Sequence, residues 1–102
     1  MVFAAIDLGS NSFHLCVKTS DNGQWQTLLE RKIRVRLAAD LCQQPTLSDQ
    51  AMARIFKALD SFAEDLAAWP QARIRAVGTS ALRRATNGET VAHALRARYG
   101  WP

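Results

Sequence analysis

The residues Ala5-Ile6-Asp7-Leu8-Gly9-Ser10-Asn11-Ser12-Phe13-His14-Leu15 confine this chain to few folds: an apolar strand runs into a tight polar turn and leaves it as a second strand. Gly9 has no side chain, so a ligand can come close to the backbone there. Ser10, Asn11 and Ser12 add backbone and side-chain donors suited to phosphoryl oxygens. Asp7, at the end of the first strand, can hold a magnesium ion or a water beside those oxygens. Turns select the same residue types for their own geometry. An ordinary hairpin is therefore the competing reading, and the downstream chain has to decide.

A length of 102 residues is one domain's worth, enough for a real core but small for an enzyme with a closing cleft, so a fragment is expected. The apolar share of 48% and charged share of 22% exclude a disordered or low-complexity chain. Thirteen Lys and Arg against nine Asp and Glu give a net charge of +4, with arginines clustered at 31–36, 73–75, 83–84 and 96–98. Polyanions are thus expected ligands. A nucleic-acid groove interleaves aromatics among its basic residues for base stacking, and these clusters hold almost none, so no nucleic acid is expected. Cys16 and Cys42 lack metal-ligand spacing and follow no secretory signal, and reduced thiols in a cytoplasm are expected, with Cys16 a small core residue. No run is long and apolar enough for a membrane span.

Residues 2–8 and 13–18 read as strands, and Asp21-Asn22-Gly23 turns the chain into a third over about 24–36, which completes a meander. In that third strand Ile33, Val35 and Leu37 alternate with Lys32, Arg34 and Arg36, the period of a sheet with one wet face. A loop over 38–45 follows. Ser48 then offers an N-cap to a helix reaching about residue 68, whose Met52, Ile55, Phe56, Leu59, Phe62 and Leu66 form a packing stripe. Residues 72–78 form a fourth strand. Helical residues 81–85 come next, broken by Asn87-Gly88 and resumed over 89–99 up to Gly100. The helical crossover between strands three and four brings a parallel strand to the meander, which makes a mixed α/β sheet with flanking helices.

The segment Gly78-Thr79-Ser80-Ala81-Leu82-Arg83-Arg84-Ala85-Thr86-Asn87 is the second informative feature. It places hydroxyls and free amides at a helix N-terminus, with arginines one turn in, and such an end attracts anions. Thr and Ser are also common caps. Both phosphate-suited turns, however, follow the carboxyl end of a strand, where α/β folds place their ligands.

Taken together these motifs resemble the exopolyphosphatase and guanosine pentaphosphate phosphohydrolase family, within the actin, sugar-kinase and heat-shock chaperone superfamily. The likeness runs in order through residues 5–15, Arg34-Val35-Arg36-Leu37, Leu47-Ser48, residues 76–85 and Asn87-Gly88. It implies that residues 1–102 are the N-terminal part of the first of two actin-like domains. It also implies removal of terminal phosphate from polyphosphate or guanosine pentaphosphate, with magnesium as cofactor, by a cytoplasmic, homodimeric full-length enzyme. On this likeness Asp7 holds magnesium or positions water, Gly9, Ser10, Asn11 and Ser12 line the phosphate turn, and Thr79, Ser80 and Arg83 hold the phosphate chain. The family's catalytic glutamate falls beyond Pro102, so residues 1–102 alone are expected to be inactive. Two departures stand out: Ala38-Ala39-Asp40 replaces the usual glycines, and Gly78 stands where alanine is common. His14 and His93 receive no role, and Arg34 and Arg36, which match positions of the family, stay open between a solvated or interdomain face and a polyphosphate contact. The alternative function is a non-hydrolytic nucleotide-binding or interaction module of the same superfamily.

Overall fold

The structure is a computed structural model, and it describes residues 1–41, 45–78, 82 and 85–101. Strands β1 (Val2–Leu8), β2 (Ser12–Asp21) and β3 (Gln24–Arg34) form the expected antiparallel meander. A short helix α1 (Leu37–Leu41) and a long helix α2 (Asp49–Leu66) lead to β4 (Arg73–Gly78), after which α3 spans Gly88–Ala97. The sheet order is β3-β2-β1-β4, with β4 parallel to β1, so the mixed α/β class holds.

Period-2 alternation decides which face is covered. Ala4, Ile6 and Leu8 of β1 and Phe13, Leu15 and Val17 of β2 point into one core with Ile55, Leu59 and Phe62 of α2 and Val91 and Leu95 of α3. Phe62, Phe13, Leu15 and Leu59 are completely buried. Ser48 caps α2 as expected, its hydroxyl accepting from the Ala51 N–H at 3.0 Å. The other sheet face is open, with Ala5, Asp7, His14 and Lys18 exposed and Trp25 tilted against Phe3 at 5.4 Å between ring centres.

Three expectations change. The third strand ends at Arg34, not 36, because Arg36 adopts a left-handed backbone (φ 54°) that turns the chain out of the sheet. The segment after it is not wholly a loop: Leu37 and its neighbours form α1. Cys16 is only half-buried, since Leu15 and Val17 occupy the inward positions and parity sends Cys16 to the open face. Cys42 lies outside the described residues.

Candidate functional site

The parallel pairing of β1 with β4 positions the site. Leu8 lies opposite Gly78 at the end of both strands, so the chain leaves both at one end of the sheet. The turn over 9–12 is thereby placed beside the end of β4 at Gly78. Thr79, Ser80 and Arg83 themselves lie outside the described residues.

Steric necessity shapes the turn. The Gly9 N–H donates to the Ser12 carbonyl at 3.1 Å, and a Cβ on Gly9 would stand 2.6 Å from that same oxygen. Any side chain there would force the backbone apart. The next two carbonyls are held from behind: Asn11 accepts from the N–H groups of Val35 (2.8 Å) and Arg36 (3.0 Å), and Ser10 from those of Leu37 (2.7 Å) and Ala38 (3.0 Å). With both carbonyls tied back, the N–H groups of Ser10 and Asn11 have no protein partner among the described residues. Adjacent unpaired amides at a glycine turn form a concavity for an anion. At the start of the departure over 38–40 the Ala38 amide, like that of Leu37 before it, is occupied by Ser10 and is not offered to a ligand.

Around this turn the open face carries a polar row. Asp7 pairs with His14 and Val77, His14 with Lys32, and Ser12 with Arg34. Paired residues share a face, so Asp7, Ser12, His14, Lys32 and Arg34 stand on one side of the sheet at the end that carries the turn. Asp7 is exposed and brings a carboxylate two residues ahead of Gly9. For magnesium the donor chemistry fits in its usual sparse form, one carboxylate completed by phosphate oxygens and water. Among the described residues no cluster of three or more His, Cys, Asp or Glu could hold a metal without such help.

Among the described residues two depressions stand out, the first reaching the same sheet end from the core side. One, of about 440 Å³, runs between β4 and α3 and is lined mainly by apolar groups, including Leu8, Ala76, Leu82, Val91 and Leu95. The other, of about 670 Å³, is at the opposite end of the open face around Phe3 and Trp25. Neither has the converging amides of the 9–12 turn. The role of the Val35–Ala38 backbone was not visible in the sequence, where alternation placed Arg36 within a strand; the break to Leu37-Ala38-Ala39 was its only local signal.

Known proteins resemble this arrangement closely. A model of the Ppx/GppA phosphatase family matches residues 16–102. A guanosine-5'-triphosphate,3'-diphosphate pyrophosphatase of Photobacterium profundum is 49% identical over 88 residues, which are 86% of this chain and 18% of that protein. Its counterpart in Aliivibrio fischeri is 51% identical over 86 residues, covering 84% of this chain and 17% of the relative. Among solved structures, a Ppx/GppA family member of Aquifex aeolicus superposes with a TM-score of 0.89 at 26% identity, covering 98% of this chain and 33% of its own. An exopolyphosphatase of Cytophaga hutchinsonii gives a TM-score of 0.90 at 26% identity, covering 99% and 32%. The chain thus spans less than a fifth of the length of these curated relatives.

Proposed function

The chain belongs to the Ppx/GppA phosphatase family, and from that premise we propose that it is the phosphate-binding part of a hydrolase that removes terminal phosphate from polyphosphate or guanosine pentaphosphate. The observation that carries this reading is the pair of amides at Ser10 and Asn11 that have no partner among the described residues, at the sheet end where β1 and β4 finish together. In this reading the 9–12 turn cradles one phosphate group, and Thr79, Ser80 and Arg83 hold the continuing phosphate chain. Asp7 stands beside the reacting phosphate, where it would hold magnesium against the phosphate oxygens or orient the attacking water. Bound magnesium would neutralise charge that spreads over the transferred group. Phosphoryl transfer asks mainly for positioning and charge stabilisation, and this turn supplies the positioning.

The test is a titration of the 102-residue chain with tripolyphosphate, followed by amide NMR. The largest shifts are expected at residues 9–12 and 79–83. Shifts spread evenly over the exposed arginines at 73, 75, 96 and 98 instead would remove the site. In a protein of the relatives' length, Asp7→Asn is expected to lower turnover by roughly a hundredfold or more, as loss of a positioned group at the reacting centre does.

A further inference from the structure

Arg36 is one of two non-glycine residues with a positive φ among the described residues, and the other, Asn22, sits in the β2–β3 turn, where such a backbone is routine. A left-handed backbone is unfavourable for an arginine and natural for glycine. The local structure does not require the side chain: the Arg36 N–H donates to the Asn11 carbonyl at 3.0 Å, and glycine would make the same bond. The guanidinium is exposed and has no ion pair or side-chain hydrogen bond among the described residues. By contrast Arg31 is engaged with Ser61 and Asp65, and Arg54 with the Val35 carbonyl. An unfavourable backbone thus carries a cation that has no partner among the described residues and whose own main chain is bonded to the turn.

The electrostatics of the turn show what that cation could do. Its donors are neutral amides and hydroxyls, and the carboxylate of Asp7, two residues before Gly9, repels an anion. A polyanion there needs positive charge close by, and guanidinium is the group best matched to phosphate oxygens because it can bond them in pairs. We infer that Arg36 is a phosphate-binding residue, its guanidinium taking the oxygens of the group lodged against the Ser10 and Asn11 amides. The inference rests on the phosphate-turn reading above and adds to the Lys32 and Arg34 charges on the open face a guanidinium whose own main chain is bonded to the turn. The β3–α1 junction then has two roles: its amides fix the carbonyls of the turn, and its arginine supplies charge to the ligand.

The experiment is a calorimetric titration of the 102-residue chain with tripolyphosphate, combined with thermal melts and amide NMR, for the wild type, Arg36→Gly, Arg36→Lys and Arg73→Gln. Arg36→Gly is expected to keep or raise the melting temperature while weakening binding by roughly tenfold or more. Arg36→Lys should retain part of the affinity, and Arg73→Gln, which removes the same charge at the far end of β4, should stay within about twofold of wild type. Equal binding by wild type and Arg36→Gly overturns the inference, as does an equal loss in Arg73→Gln. A wild type in which tripolyphosphate leaves Ser10 and Asn11 unshifted overturns the phosphate-turn reading itself.

Discussion

At the level of single residues, Asn87 does more than interrupt a helix. Its Oδ1 accepts from the Leu47 N–H at 2.9 Å and its Nδ2 donates to the Leu47 carbonyl at 3.0 Å, so one side chain satisfies both backbone groups of a buried residue. The Thr86 N–H donates to the Pro45 carbonyl at 2.9 Å, and the Thr46 and Thr86 hydroxyls bond to each other. These contacts anchor the segment that enters α2 to the one that enters α3. Gly88 completes the junction, because a Cβ there would lie 1.9 Å from the Leu82 carbonyl oxygen. Asn87→Ala strands a donor and an acceptor on Leu47, and we expect a loss of about 1–3 kcal/mol in urea unfolding. Asn87→Asp keeps the acceptor and should lose less; equal stability of the alanine variant and wild type would refute the anchoring role.

Among the elements, α3 shows how a helix end can be made sensitive to pH. Gly100, with a φ of 70°, lets its own N–H reach the Arg96 carbonyl and that of Trp101 the Leu95 carbonyl, which closes the helix. Trp101 is buried, and the Tyr99 ring stacks on it at 4.6 Å between centres. The Tyr99 hydroxyl donates to Asp60 Oδ1 of α2 at 2.6 Å, and Arg98 bonds Asp60 Oδ2 at 3.1 Å with its guanidinium over the Phe56 ring. Burial pushes the phenol's pKa well up, the bond to Asp60 and its charge push the same way, and Arg98 opposes them. A raised pKa means that the folded state keeps a proton that the unfolded chain releases. Its contribution is therefore complete below the ordinary tyrosine value of about 10 and declines as pH rises past it. Urea midpoints measured from pH 8 to 11 should fall more steeply for wild type than for Tyr99→Phe; parallel curves would contradict this. Most of this element was legible in the sequence, as were β1, β2, β4 and α2, because hydrophobic period and caps are local signals. The strand end at Arg34 was not, since Val35 and Leu37 are both buried and continue an alternation that the backbone has already abandoned. Of the candidate site, the turn and Asp7 could be read locally. The anchoring of its carbonyls by residues 35–38 could not, because it joins segments 24 or more residues apart.

For the whole molecule, the long dimension stands out. The described chain measures 49 × 23 × 19 Å with a radius of gyration of 14.2 Å, above the ~13 Å of a compact domain this size. The β2–β3 hairpin accounts for the extension. β1 pairs with β2 only as far as Thr19, a bulge interrupts the β2–β3 ladder at Val17 and Lys18, and the first five residues of β3 are all exposed. Amide hydrogen exchange should divide accordingly, fast at residues 20–28 and slow, close to global unfolding, at residues 4–8 and 13–17. Uniform protection along the hairpin would show that its outer half is stabilised by contacts other than those described. The 9–12 turn belongs to the slow end, and the tip at Asn22 and Gly23 belongs to the fast one. That polarity makes the tip a natural handle. A fluorophore or affinity peptide spliced between Asn22 and Gly23 would sit in open solvent across the length of the sheet from the Ser10 and Asn11 amides, and would leave that other end undisturbed.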